Sequence, residues 1–328
     1  MEGGVQDFEQ RDDYLGVQPD EEEEEENAQK YNRVHDKLGR FASGGGSGSV
    51  RQENAGGGSG FPPIAHPPLA SYVFNEMGRG GSAIGNFVRN EDGTYSFTPE
   101  RQALHTAIIE RALAGIPVSS NPTQVFMGGG PAAGKSHLLA EPEVGKTIPD
   151  YKSRQAVHSD PDEVKKQLPE WETAGANKAA FTHAESSYLT KRIVEEARIR
   201  KLDIVSDGTG NHGVSDMKGK IDGARKAGYK VVGIYATVPT QDALTRAQIR
   251  GQQTGRFVPP EVIVNTHAGV SKIFSTIAPM FDKVTLYETS AKPILLASSE
   301  GGKPLVVHNT QLFAAFEAKA FEMFRPLE

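Results

Sequence analysis

The chain has 328 residues, no cysteine and a formal net charge of −6. No apolar run approaches membrane-spanning length, and the absence of cysteine excludes a disulfide, a thiolate metal site and a cysteine nucleophile. Twelve acids crowd residues 1–30 against only Arg11 and Lys30, so the rest is mildly basic. That balance suits anionic small substrates and is too slight for a nucleic-acid surface.

Residues 1–60 read as a disordered tail. The acidic run is followed by Gly44–Ser49 and Gly56–Gly60, and such segments bury too little apolar area to offset the entropy of ordering. The first residues carry no secretory leader pattern, and the expectation is a cytoplasmic protein. His35–Ser43 resembles a segment of bacteriophage head-associated proteins. Two readings stay open, a phage or prophage origin, with a phage structural partner, or an adhesive spot in a flexible tail.

Residues 61–97 read as a transitional, extended segment because of Pro62, Pro63, Pro67 and Pro68. Within it, Asn90–Phe97 reads as a turn between short strands. Thr98 as N-cap and Pro99 at the first position then open a helix. Leu104, Ile108, Ile109 and Leu113 lie on its apolar face, and Gly115 ends it.

The apolar run Val125-Phe126-Met127 predicts a buried strand. Gly129, four spacers and Gly134-Lys135-Ser136 follow it, and helix-forming residues come next. This is the phosphate-loop pattern in its required strand–loop–helix context. Gly129, Gly130, Pro131, Ala132, Ala133, Gly134, Lys135, Ser136 and His137 are therefore the expected nucleotide-binding residues. The backbone N–H groups would cradle phosphates, Lys135 would reach the terminal phosphates and Ser136 would hold Mg²⁺. His137 reads as a packing or capping residue beside the loop.

Beyond the loop, strands are predicted at Ala156–Ser159, Asp203–Ser206, Lys230–Ala236 and Lys283–Glu288. Helices are predicted at about 176–199, 213–227, 240–251, 259–277 and 310–323. This alternation predicts an α/β fold with three layers and a central, mostly parallel sheet. Active sites in such sheets sit outside the carboxyl ends of the strands.

Three polar clusters fall at those ends. Asp160 and Asp162 suit a phosphoryl-transfer base, and Asp160 equally suits a helix N-cap. After the third strand, Asp207 suits Mg²⁺ or a substrate hydroxyl, and Thr209 and Asn211 suit substrate. Arg250 and Arg256 flank a glycine-bounded turn (Gly251 to Gly255) that reads as a lid and could clamp the transferring phosphoryl group. Arg246, one helical turn before Arg250, reads as an ordinary solvated basic face. Glu185 reads either as a substrate contact or as part of a solvated helix start. The nine histidines show no two-His helical spacing of the kind that marks a metal site.

These clusters in this order resemble the zeta toxin family of phosphate-loop kinases over about 120–290. The resemblance rests on Gly129–Ser136, Asp160–Pro169, Asp207–Gly210, Ala224–Tyr229, Val238-Pro239, Arg250 and Gly255-Arg256. It implies a kinase domain over 98–328 that moves phosphate from ATP or GTP, with Mg²⁺, to a UDP-N-acetylamino sugar such as UDP-N-acetylglucosamine. By position it implies Asp162 as base and Lys135, Arg250 and Arg256 as phosphate clamp. Asp207 and Thr209 become acceptor-site residues, and an antitoxin becomes a candidate partner. The chain departs from the family's prototype at Asp207, where the prototype has Glu, and at Asn211, where it has Arg. A different acceptor (a nucleic-acid 5′-hydroxyl, a small molecule or a protein) and a non-catalytic nucleotide-binding module of a phage particle are the alternative readings.

Overall fold

The computed structural model describes residues 61–78, 81–145, 149, 155–174, 178–254 and 257–322. The expected tail at residues 1–60 lies outside them. Nine strands are described: β1 (Phe87–Arg89), β2 (Tyr95–Phe97), β3 (Thr123–Gly128), β4 (Val157–Ser159), β5 (Ile204–Ser206), β6 (Lys230–Thr237), β7 (Lys283–Glu288), β8 (Ile294–Glu300) and β9 (Val306–Val307). The principal helices are α1 (Ser71–Gly78), α2 (Pro99–Leu113), α3 (Lys135–Ala140), α4 (Pro161–Lys165), α5 (His183–Ile199), α6 (Val214–Lys226), α7 (Thr240–Thr254), α8 (Pro260–Ile277) and α9 (Thr310–Ala318).

Seven strands form one sheet in the order β4-β5-β3-β6-β7-β8-β9. From β4 to β7 every pairing is parallel, and β8 and β9 are added antiparallel. β6 shows why the parallel core forms: seven of its eight residues are buried, as expected for a strand covered on both faces. β3 lies between β5 and β6. The chain leaves β3 to one side for β4 and β5 and then crosses to the other side for β6. That reversal opens a crevice at the carboxyl end of β3, where ligands bind in sheets of this kind.

One face of the sheet packs against α2, α5, α6, α8 and α9 through a large cluster that includes Ile108, Leu189, Ile221, Phe274 and Phe313. The other face packs on Leu138 and Leu139 of α3 and on Val144. No helix of the described residues is long and apolar enough to cross a membrane.

Two regions differ from the sequence reading. Residues 61–97 carry the expected turn between short strands, β1 and β2, but also helix α1 where extended chain was read. Leu69, Met77, Ala83 and Phe97 bury together there. The prolines occupy only the first part of the segment, and the apolar residues that fold it come later and widely spaced. The second difference is the pair β8–β9, which the α/β alternation does not announce.

Candidate active site

The phosphate loop runs from the end of β3 into α3. Its backbone turns through three left-handed residues, Gly129 (φ 126), Ala132 (φ 58) and Gly134 (φ 81). Alternation of this kind turns successive N–H groups toward one point and makes an anion-binding concavity. Ala132 adopts the left-handed conformation without glycine's freedom, a strained state of the kind that collects at ligand sites.

Three outside contacts hold the loop. The Gly129 N–H donates to the Thr209 carbonyl at 2.8 Å. The Thr289 hydroxyl donates to the Ala133 carbonyl at 2.6 Å, from a side chain that is almost fully buried. His267, buried on α8, places its Nε2 3.0 Å from the Pro131 carbonyl. Gly130 lies directly against the His267 ring, and a Cβ there would collide with it. Burial, with smaller contributions from the charges of Lys319 and Lys135, lowers the His267 pKa to about 4, although the bond to Pro131 opposes this. The ring is therefore neutral near pH 7, with Nε2–H donating to Pro131 and Nδ1 bare.

Lys135 donates to the Gly129 carbonyl at 2.9 Å, so its amino group lies over the loop it serves. Ser136 is exposed at the first turn of α3. Against the expectation of packing or capping, the His137 side chain is 61% exposed and pairs loosely with Glu141 at 3.6 Å. Gly134 and His137 line a pocket of about 390 Å³ together with Arg246, Thr289, Ser290 and Ala291.

Arg246 corrects the sequence reading. It is half-buried rather than a solvated basic residue. Its guanidinium donates to the carbonyls of Thr289 (3.1 Å) and Ser290 (2.9 Å) and thereby fastens the segment after β7 in front of the loop. Arg250 is half-buried near the end of α7. Arg256, and with it the predicted lid tip, lies outside the described residues.

Across the crevice, the ends of β4 and β5 bring the carboxylates together. Ser159 pairs with Ser206 in parallel register, and the Asp207 N–H donates to the Ser159 carbonyl at 2.9 Å. Asp160 caps α4 by accepting from the Asp162 N–H at 2.8 Å, so the N-cap role is realised. Its carboxyl is shifted up, first by burial and then by the charges of Asp207 and Asp162, against the opposing effects of the Asp162 N–H and His158. Asp162 is paired with Lys165 at 3.3 Å, a nearly buried lysine that sequence reasoning did not single out. Thr209 donates to Asn211 at 2.5 Å, beside Gly210.

His158 was also missed. One ligand atom each of His158, Asp160 and Asp207 lies within 4.8 Å of the others. A two-histidine helical spacing does not reveal a histidine whose partner stands at the end of the neighbouring strand.

Glu185 is the clearest correction. It is 1% exposed and is no part of a solvated helix start. Its carboxylate receives Arg101 (2.6 Å to each oxygen), His105 (2.7 Å) and Ser82 (2.5 Å). Burial alone would raise its pKa, but these donors hold it down to about 2. Both oxygens are committed to the packing of α2 against α5, which leaves them no acceptor to hold.

A parallel sheet with this loop at its switch point defines a phosphate-loop kinase-like protein. The zeta toxin family profile matches residues 107–300, more than half of the chain, and the chain belongs to the zeta toxin family. Among solved structures it is similar to the AvrRxo1-ORF1:AvrRxo1-ORF2 complex with sulphate ions. There the identity is 20%, the TM-score 0.58, and 70% of this chain and 76% of that chain are covered. The same complex with ATP gives 21% identity and a TM-score of 0.57 over 70% and 76% of the two chains. A structure from the PezAT chromosomal toxin–antitoxin system of Streptococcus pneumoniae matches at 17% identity and a TM-score of 0.48, over 60% and 80%. No curated protein matches the chain.

Proposed function

We propose that the protein is a Mg²⁺-dependent kinase that moves the γ-phosphoryl group of ATP or GTP to a hydroxyl of a UDP-N-acetylamino sugar. The observation that carries this reading is the phosphate loop, braced on three sides and facing the carboxylates at the ends of β4 and β5. Family membership supports it, as does the solved AvrRxo1 complex that contains ATP.

In this reading the nucleotide phosphates replace the Gly129 carbonyl as the partner of Lys135, and the loop N–H groups hold them. The pocket beside Gly134, His137 and Arg246 takes the nucleoside. The exposed Ser136 hydroxyl, with Asp207 through water, fits Mg²⁺, which supplies charge neutralisation on the phosphates. Asp162 takes the proton of the attacking hydroxyl, and Lys165, 3.3 Å away, orients it. Arg250 and Arg256 stabilise charge on the transferring group. Asp160, Asp207, Thr209 and Asn211 line the acceptor side, and the kinase domain occupies 98–328. The kinase acts in the cytoplasm, where an antitoxin covers the site.

The test is transfer of γ-labelled phosphate from ATP, and separately GTP, to UDP-N-acetylglucosamine, with Asp162→Ala alongside. Label on the sugar nucleotide that disappears in the variant supports the full reading. Labelling of another component of a cell extract, dependent on Asp162, replaces the acceptor and keeps the kinase. Equal transfer by both proteins removes Asp162 from the chemistry.

A further inference from the structure

We propose that His158, Asp160 and Asp207 form a protein-borne site for one divalent transition-metal ion of the Mn²⁺ class, occupied without any nucleotide. Their ligand atoms lie within 4.8 Å of one another. Binding an ion at about 2.1 Å needs them to draw in by only about an ångström. The frame is rigid where it matters, because β4 and β5 pair in register up to Ser159 and Ser206 and the Asp207 N–H closes onto Ser159. Asp160 commits one oxygen to its helix cap, which leaves the other for a ligand. Among the described residues, no group donates a hydrogen bond to the Asp207 carboxylate. All three side chains are half-buried, so the ion keeps an open face toward the crevice.

The donor set decides the kind of ion. Mg²⁺ is bound by oxygen and retains its waters, whereas one imidazole with two carboxylates suits Mn²⁺, Co²⁺ or Zn²⁺. Asp207 binds this ion directly, whereas the Mg²⁺ of a nucleotide sits on Ser136 and meets Asp207 only through water; the two ions are distinct, and the inference stands whether or not the protein transfers phosphate.

The test is a Mn²⁺ titration of the full, nucleotide-free chain, read by the electron paramagnetic resonance signal of the free aqua ion. The native chain is expected to take up one stoichiometric equivalent above the weak background of the acidic run at Glu21–Glu26. That equivalent should weaken by about tenfold or more in His158→Ala and in Asp207→Asn. It should survive in Ser136→Ala and in the presence of a tenfold excess of Mg²⁺. Thermal melts guard against misfolded variants: Mn²⁺ should raise Tm in the native chain and leave His158→Ala unmoved. The proposal is overturned by no stoichiometric uptake in the native chain, by uptake that persists in both ligand variants, or by ready displacement with Mg²⁺.

Discussion

His267 Nε2 sits 3.0 Å from the carbonyl oxygen of Pro131, so a residue on α8 fixes the shape of a loop formed more than a hundred positions earlier. Replacing His267 by Phe keeps a ring against Gly130 and removes the donor. A carbonyl left without its partner costs about 1–3 kcal/mol. The nucleotide dissociation constant should therefore rise by about tenfold, measured by isothermal calorimetry, with the sheet intact by circular dichroism. An unchanged constant would show that the loop holds its own shape.

The same histidine gives the fold a pH signature. Its folded pKa of about 4 lies below the ordinary 6.5. Between those values the unfolded chain binds a proton that the folded chain refuses. Stability is therefore full above pH 6.5 and falls as the pH drops toward 4, by up to about 3 kcal/mol for one such group. Burial also lowers the pKa values of His66 and His212, which add to the fall. Both remain in His267→Gln, so the difference in urea-unfolding curves between that variant and the native chain between pH 7 and 4.5 isolates His267. Parallel curves would refute the buried neutral ring.

Arg246 fastens the segment after β7 beside the loop through two carbonyls. Arg246→Ala should raise KM for the nucleotide by about tenfold and change kcat much less, since it removes binding rather than chemistry. The loss should be partly restored in Arg246→Lys, because a single nitrogen, Nη2, serves both the Thr289 and Ser290 carbonyls and an ammonium also offers several donors from one nitrogen. A loss confined to kcat would place Arg246 on the transferring group instead.

Glu185 predicts a large loss of stability. Removing one member of a buried ion pair costs about 3–5 kcal/mol because the partner charge is stranded. Glu185→Gln should lower the urea midpoint at neutral pH by less than that full amount, because Arg101 keeps a second carboxylate, Glu170, at 2.8 Å. Since the folded pKa is depressed to about 2, the native advantage is fully present above about pH 4.5 and fades as the pH falls through 2. Transfer activity per folded molecule should be preserved. A selective loss of activity with unchanged stability would return Glu185 to the acceptor site.

What the sequence revealed was local. The phosphate loop, the β3 run before it and the Thr98 cap are all written in contiguous residues. β3 to β7 were legible because their apolar runs alternate with helical periodicity. The braces were not: Thr289 and His267 reach the loop from distant elements, and neither sits in a motif. Arg246 looked solvated because one helix face cannot reveal the segment packed against it. Glu185 looked polar and exposed because its partner Arg101 lies 84 residues away. β8 and β9 were missed because Ile294–Glu300 turns polar halfway along and β9 is only two residues long.

The Glu185 cluster has a consequence for cutting the chain. Ser82 donates to Glu185, its carbonyl receives Arg101, and the Ser82 N–H donates to Phe181. Leu69 and Met77 bury beside Ala184 and Tyr188 of α5. A fragment beginning at residue 98 loses all of these. Conversely, a protease that nicks the exposed turn at Glu91–Gly93 leaves two pieces with every one of these side-chain contacts still available. The piece ending at the nick then behaves as a non-covalent clasp: it stays bound through gel filtration, is released by acid or urea, and as a separate peptide re-forms the whole when added back.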